Sequence, residues 1–195
     1  MTNSILFVNA CVRKESRTKM LAGKLLDRLG GPFEEIRLAD VSFPVVNRVF
    51  LRSRDQLIAE GNFRDTMFAF ARQFAEADTI VIAAPYWDLS FPAALKQYLE
   101  MVNVVGVTFD YSKEGIPVGL CRARRLFYVT TAGGEFVPEA FGFGYVKALA
   151  QIFYGIQDVR KIEAVGLDIE GADVAAILDA AEKAISEMKL DERNV

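Results

Sequence analysis

The 195-residue sequence contains no histidine. Imidazole acid–base catalysis, Ser-His-Asp triads and His-ligated zinc are therefore excluded. Only two cysteines are present, Cys11 and Cys121, and they are too few and too far apart for a disulfide framework or a metal site. We expect two reduced thiols and no bound metal. Any demanding chemistry must come largely from an organic cofactor, so we assign no side chain as an obligatory catalytic acid or base.

Long apolar runs and an excess of positive charge are also missing. No run approaches the roughly 18 apolar residues of a membrane span, and the first residues lack the apolar core and cleavage region of a signal peptide. The formal net charge is −3, so the chain offers no domain-scale positive field for a phosphate backbone. We expect a cytoplasmic protein that binds neither membranes nor nucleic acid.

What the sequence does contain is typical of a globular α/β protein. Hydrophobic residues make up 52% of the chain and charged residues 25%, and this length suits a single domain spanning residues 1–195. Short apolar runs alternate with segments of helical periodicity, as in β-α units around a parallel sheet. The predicted strands are residues 5–8, 34–38, 79–84, 126–130 and 161–165, and the predicted helices are residues 16–29, 62–76, 90–103, 138–153 and 174–188.

This alternation predicts an α/β fold with a flavodoxin-like, doubly wound sheet of five parallel strands in the order 2-1-3-4-5, with helices on both faces. In such sheets the ligand binds at the carboxyl ends of the strands, near the point where the strand order reverses. Residues 39–61 are predicted to form a long irregular loop, and residues 102–117 form an insertion. Ser90 is predicted to cap the helix after the third strand.

The loop after the first strand has the chemistry of a phosphate site. Residues 9–19 are polar and basic and run directly into a helix start, where unpaired N–H groups favour an anion. Ser16 and Thr18 can donate hydroxyl hydrogen bonds, and Arg13 and Arg17 add positive charge. The loop lacks the glycine patterns of dinucleotide and P-loop sites, which favours the single phosphate of FMN. The alternative is that Ser16 only caps the helix and the cations are solvated.

Two further loops lie at the same predicted edge of the sheet. Tyr86 and Trp87, the only tryptophan, follow the third strand and can form an apolar wall for a planar ring, or they can simply fill the core. The fourth strand is followed by Gly133 and Gly134, where the backbone can approach a ligand closely. Three loops of suitable chemistry therefore converge on one place.

The blocks A-P-Y-W-D-L-S-F-P-A-A-L-K-Q-Y-L, G-V-T-F-D-Y and T-A-G-G resemble the FMN-dependent NADH-azoreductase and NAD(P)H:quinone oxidoreductase family of the flavodoxin-like superfamily. The resemblance covers most of the chain. It implies an enzyme that uses FMN and NADH or NADPH to reduce a small planar acceptor, a quinone or an azo compound, by two-electron ping-pong transfer. The cofactor-binding residues that it implies are Ala10, Ser16, Arg17 and Thr18 in the first loop, Pro85, Tyr86, Trp87, Asp88 and Leu89 in the second, and Thr131, Gly133 and Gly134 in the third.

Three positions depart from the family's pattern. Members often carry serine directly after the first strand, where this chain has Ala10 and Cys11, so one phosphate hydroxyl is missing and Arg13 or Lys14 could compensate. Members often carry asparagine at the position of Asp88, whose carboxylate can accept a hydrogen bond but cannot donate one. Phe136 stands where many members have histidine or tyrosine. We expect this last change to affect the choice of acceptor more than flavin binding.

The resemblance also implies a homodimer with the active site at its interface. Aromatic residues of the helix at 138–153 and apolar residues of the insertion at 102–117 are the predicted interface, although a monomer can bury many of them in its own core.

Several alternatives stay open at the level of sequence. The same fold serves flavodoxin-type electron carriers, NAD(P)H-dependent FMN reductases and flavin-free signalling domains. The preference between NADH and NADPH is also open. Arg48, Arg52 and Arg54 could meet a 2′-phosphate or could be solvated loop charges.

Overall fold

The computed structural model of the protein describes residues 4–190. Its strands are β1 (Ile5–Asn9), β2 (Phe33–Arg37), β3 (Thr79–Ala83), β4 (Phe109–Tyr111), β5 (Pro117–Gly119), β6 (Arg125–Thr131) and β7 (Asp158–Ala164). Five of them form one parallel sheet in the order β2-β1-β3-β6-β7. Counted along this sheet alone, the order is 2-1-3-4-5, and the predicted topology is confirmed. The other two, β4 and β5, pair as an antiparallel hairpin.

The helices cover both faces of the sheet. They are α1 (Arg17–Leu29), α2 (Arg48–Ala59), α3 (Ala69–Glu76), α4 (Ala93–Val102), α5 (Phe143–Leu149) and α6 (Val174–Glu187). The apolar residues of α1 and α6 pack on one face, and those of α3, α4 and α5 pack on the other. Within residues 4–190, no helix is both long and apolar enough to cross a membrane.

The strand sequences explain why the sheet lies inside. Successive side chains of a strand point to opposite faces, and β1 sends Ile5 and Phe7 into the core on the α1 side and Leu6 and Val8 into the core on the α4 side. All five residues of β3 are buried, as expected for a central parallel strand. In edge strand β2, by contrast, only Ile36 is buried.

The prediction of an irregular loop over residues 39–61 is wrong in its second half. Helix α2 begins after Asn47, whose side-chain oxygen accepts hydrogen bonds from the N–H groups of Val49 and Phe50. None of its residues is fully buried. Its packed face is only partly buried, through Leu57 and Ile58. The exposed Val49 and Leu51 blur the apolar stripe, and that stripe is the main signal for a helix in a sequence.

Two predicted helix starts are displaced. A helix is predicted over residues 62–76. The α-helix α3 covers only the second half of that segment, and a 3-10 turn at Thr66–Phe68 precedes it. Ser90 does not cap α4, because Pro92 occupies the N-cap position. The Ser90 hydroxyl instead donates a hydrogen bond to the backbone carbonyl of Phe141, which ties the loop after β3 to the segment after β6.

The insertion and the aromatic helix also differ from the prediction. The insertion contributes the hairpin strand β4. The segment predicted as a helix over 138–153 is a 3-10 turn at Glu139–Phe141, then α5, then a π-helical turn at Ala150–Tyr154 that ends on Gly155 in the left-handed conformation. The ring of Phe109 stacks on that of Phe153, with centroids 4.4 Å apart, so the hairpin packs against the π-helical turn.

Candidate active site

A cavity of about 620 Å³ opens at the carboxyl ends of the strands, between α1 and the loops that follow β3, β6 and β7. We call it the main cavity. Its volume is in the range of small-molecule sites, and it lies where ligands of doubly wound sheets bind. Its walls are formed by Val12, Arg13, Glu15, Ser16, Arg17, Thr18, Met20, Pro85, Tyr86, Trp87, Thr131, Ala132, Gly133, Leu167 and Asp168.

The start of α1 forms the polar wall. Ser16 is the N-cap, with extended backbone, and its Oγ accepts a hydrogen bond from the N–H of Lys19 at 3.2 Å. Accepting this bond leaves the hydroxyl proton of Ser16 to donate, and the Cys11 thiol beside it competes with a ligand for that proton. No acidic residue lies in the first turn, so the positive end of the helix dipole is not neutralised there. This wall suits an anion.

Two contacts join α1 to the neighbouring loops. The hydroxyls of Thr18 and Thr131 are 2.6 Å apart and share a hydrogen bond, which fixes the start of α1 against the end of β6. Arg17 forms an ion pair with Asp168, with Nη1 and Oδ1 2.9 Å apart. Both partners of that pair are well exposed, and such surface pairs contribute about 1 kcal/mol or less. A doubly charged phosphate can therefore replace Asp168 as the partner of Arg17 at small cost.

The aromatic wall is a tight turn, residues 86–90, which we call the aromatic turn. Trp87 and Ser90 exchange both backbone hydrogen bonds, at 2.9 and 2.7 Å. The two residues between them, Asp88 and Leu89, have φ angles of 49° and 66°. Positive φ at both central positions is the type I′ hairpin turn, which usually carries glycine or asparagine. A leucine held there stores backbone strain of about 1–3 kcal/mol, and strain of this kind concentrates at functional sites.

Comparison with known proteins identifies the fold family. A family model for the flavodoxin-like fold matches residues 3–188. The chain belongs to the flavodoxin-like family. Among curated members, the FMN-dependent NADH:quinone oxidoreductase of Clostridium beijerinckii is 34% identical over 190 residues, covering 92% of this chain and 94% of that protein. The enzyme of the same name from Lachnoclostridium phytofermentans is 35% identical over 193 residues, covering 93% and 96%.

Solved structures agree with the flavodoxin-like assignment. An azoreductase from Bacillus anthracis superposes with a TM-score of 0.80 at 24% identity, and the match covers 96% of this chain and 100% of that protein. An FMN-dependent NADH-azoreductase from the same organism, solved in complex with FMN, also gives 0.80 at 24% identity, covering 95% and 96%. At this identity the likeness shows the fold. The resemblance to the azoreductase and quinone oxidoreductase group is confirmed by the curated relatives.

Most of the residues singled out in the sequence meet in the main cavity of this flavodoxin-like protein. Eight of the twelve line it: Ser16, Arg17, Thr18, Pro85, Tyr86, Trp87, Thr131 and Gly133. The other four do not. Ala10 is buried and donates its N–H to the carbonyl of Ala83. Gly134 accepts a hydrogen bond from Gly166, and Asp88 and Leu89 lie on the exposed tip of the aromatic turn.

Asp168 is the charged wall residue from a loop that sequence reasoning did not consider. It follows β7, and its N–H donates to the carbonyl of Gly133 at 3.0 Å. A Cβ added to Gly133 would lie 2.4 Å from Oδ2 of Asp168, so any side chain there would have to displace the Asp168 carboxylate. The available signal was position: the loop after the fifth strand of the sheet opens at the same edge as the other three.

Cys11 lies beside the polar wall but is not a nucleophile. Its side chain is buried, and this burial raises the pKa of the thiol, with only partial offset from the Ser16 hydroxyl and the Lys19 charge. A thiol with a raised pKa stays protonated and unreactive at neutral pH. The cysteine therefore contributes packing at the site.

The residues present fit FMN. The hydroxyl of Ser16, the free first-turn N–H groups of α1 and the guanidinium of Arg17 suit a phosphate. Trp87, 37% exposed, offers an aromatic surface for a planar ring. The carboxylates of Glu15 and Asp168 also line the cavity, so the wall is close to neutral, and the directed hydrogen bonds of the α1 start must supply the affinity for phosphate.

Proposed function

We propose that this chain is an FMN-dependent NAD(P)H oxidoreductase that reduces quinones and azo compounds by two-electron transfer, and that residues 1–195 form one flavodoxin-like domain. The observation that carries the proposal is the main cavity, where a capped, cation-bearing helix start faces an aromatic turn at the carboxyl edge of the sheet. The names of relatives at 34% and 35% identity support it, and those names favour NADH as the donor.

The roles of the residues follow from the two walls. Ser16, Arg17 and Thr18 would hold the FMN phosphate, and Pro85, Tyr86 and Trp87 would flank the ring, with Thr131 and Gly133 at its other side. Bound FMN would supply the redox chemistry, accepting hydride from a nicotinamide and returning two electrons to the acceptor. The protein orients the partners and limits the access of water, and no side chain of the cavity is needed as an acid or base.

The open side of the main cavity fits a shared slot for donor and acceptor. Val12 and Met20 are exposed apolar residues among the walls of the cavity, and apolar walls bind flat molecules without selecting one hydrogen-bonding pattern. A ping-pong order follows, because the oxidised nicotinamide must leave before the acceptor can enter. The proposal includes a cytoplasmic location, to which the free cysteines Cys11 and Cys121 are suited.

Purified or FMN-reconstituted protein should show the two-band visible absorbance of a bound flavin, and its tryptophan emission should fall on binding. Trp87 is the only tryptophan, so the emission reports on the aromatic turn alone. The same sample should oxidise NADH steadily when a quinone is present, which an electron carrier would not do. Flavin binding without any change in emission would place Trp87 away from the ring. Colourless protein that ignores added FMN would overturn the proposal.

We also propose a homodimer with the main cavity at its interface, on a surface that keeps Phe141 from the one expected. Val104, Phe109, Phe143 and Tyr154 are buried within the chain, so the expectation that these side chains supply the interface is wrong. Exposed apolar side chains lie instead on the loops that border the cavity: Leu89, Phe136 and Phe141, which are 52%, 79% and 56% exposed. A two-fold contact would cover them and wall the slot.

Light scattering across a dilution series, with quinone-reductase assays in parallel, should show activity falling as the dimer dissociates. Phe141→Ser should shift the dissociation to higher protein concentration. Phe33→Ser is the matched control, since Phe33 is similarly exposed, at 48%, but lies in edge strand β2. A fully active species of 21.7 kDa would contradict the dimer and leave the FMN assignment standing.

A further inference from the structure

A second, much smaller cavity lies behind the aromatic turn. Its volume is about 10 Å³, and it is enclosed by the end of β6, Lys161 of β7 and the segment 137–143. We call it the inner cavity. Tyr86 belongs to the walls of both cavities. The inner cavity is therefore separated from the main cavity by a residue of the aromatic turn.

Three hydroxyl groups line the inner cavity without a partner. The side-chain oxygens of Tyr86, Tyr128 and Thr130 are buried, and none makes a hydrogen bond of full geometry with another described residue. The Thr130 hydroxyl does lie near enough to Tyr128 to offset part of the rise that burial causes in the pKa of Tyr128. Tyr128 and Thr130 are two residues apart in β6 and therefore point to the same face of the sheet. A buried hydroxyl without a partner is unfavourable, so three around one small space call for a shared partner.

The size and lining of the inner cavity identify that partner. A space of about 10–15 Å³ holds one water molecule, which needs two to four polar partners to be stable. The three hydroxyls meet that requirement, since each can donate or accept. A larger ligand has no room. Lys161, at the outer end, is already paired with Glu139 and Glu163 at 2.8 and 2.9 Å, which leaves no unpaired charge to select an ion.

We propose that the inner cavity binds one ordered water molecule, held by the hydroxyls of Tyr86, Tyr128 and Thr130, and that this water anchors the aromatic turn. Tyr86 is fixed at one end of the turn by the water and by its N–H, which donates to the carbonyl of Thr131 at 3.0 Å. Ser90 is fixed at the other end through its bond to Phe141, in the same segment that encloses the inner cavity.

The anchor explains how the turn keeps its conformation. Asp88 and Leu89 hold positive φ angles, and strained residues persist only where the surrounding structure leaves no alternative. Attachment at Tyr86 and Ser90 supplies that constraint. Tyr128 and Thr130 thus act as positioning residues for Trp87, although neither lines the main cavity. The water site does not depend on FMN, and only the consequence for ring binding rests on the proposed function.

The test uses Tyr128→Phe and Thr130→Val in FMN-free protein. If the hydroxyls hold a water, removing one breaks a satisfied network and lowers the midpoint of thermal unfolding. If the hydroxyls are unpaired, removing one removes the unfavourable burial of an unpaired polar group and raises the midpoint. Tyr98→Phe is the matched control, because the Tyr98 hydroxyl is also buried without a partner among residues 4–190 but does not line the inner cavity. We expect Tyr98→Phe to leave the midpoint unchanged or higher.

A midpoint for Tyr128→Phe at or above that of Tyr98→Phe would overturn the water site. So would a high-resolution crystal map with no peak within hydrogen-bond distance of the Tyr128 oxygen. Anchoring has a separate readout, the quenching of Trp87 emission by acrylamide. Acrylamide quenching should increase in Tyr128→Phe and Thr130→Val and stay unchanged in Tyr98→Phe. Unchanged quenching in all three would refute the anchor, and none of these measurements depends on whether the protein binds FMN.

Discussion

Replacing Ser16 and Thr18 together by alanine should weaken FMN binding on the order of 100-fold while changing riboflavin binding little. Hydrogen bonds to a charged group contribute about 1.5–3 kcal/mol each, so two account for roughly 3 kcal/mol or more. Riboflavin has the same ring without the phosphate and therefore reports on everything except these two bonds. Titration of the flavin absorbance or of Trp87 emission, with both ligands, gives the ratio directly.

The double substitution also lowers the stability of the fold, and a control variant must separate this effect from the loss of phosphate contacts. Ser16 caps α1, and losing a cap costs about 0.5–2 kcal/mol. The Thr18 hydroxyl also holds α1 to Thr131. Asp173→Ala is a suitable control, because Asp173 caps α6 by accepting from the N–H of Ala176 at 3.0 Å and does not line the main cavity. Equal losses for FMN and riboflavin would show that the start of α1 does not hold the phosphate.

The sheet could be predicted because its strands carry their own signal. Strand β3, Thr79–Ala83, has four apolar residues in a row after a buried threonine and no charged position to face solvent. The strands alternate with helices such as α6, whose apolar side chains recur every three or four residues. Parallel strands joined by helices permit few topologies. The order of the sheet therefore followed from the order of the elements.

The segments whose structure was predicted wrongly are those that depend on neighbours far along the chain. Helix α2 packs only Leu57 and Ile58 against the small cluster around Phe68. Its exposed Val49 and Leu51 blur the apolar stripe, so the cap at Asn47 is its clearest signal. The strands of the hairpin are three residues long each, too short for an alternating pattern to show. The hairpin is held instead by Phe109 stacking on Phe153, 44 positions away, which no local pattern reveals.

The candidate site was accessible for a different reason. Polar, glycine-containing and aromatic residues at the carboxyl ends of successive strands must meet at one edge, so Ser16, Trp87 and Gly133 could be grouped before any distance was known. The loop of Asp168 was overlooked because a lone carboxylate after a strand has no distinctive pattern. The left-handed backbone of Leu89 was equally hidden, since leucine normally avoids that conformation.

A single methyl group at Gly119 should destabilise the protein by about 3 kcal/mol. A Cβ at this position would lie 2.3 Å from both the backbone nitrogen of Gly155 and the carbonyl carbon of Tyr154. These atoms belong to the chain itself and cannot rotate away, so Gly119→Ala must push β5 off the π-helical turn or distort both, which is the costly form of overpacking.

The control is Gly23→Ala in α1. Nothing lies within 4 Å of a Cβ built there, and alanine is favoured over glycine inside a helix by roughly 0.5–1 kcal/mol. The two substitutions add the same methyl group and should shift the free energy of unfolding in opposite directions in urea denaturation. A Gly119→Ala protein as stable as the wild type would mean that the hairpin and the turn at Gly155 do not touch, and the packing of Phe109 on Phe153 would have to be revised with them.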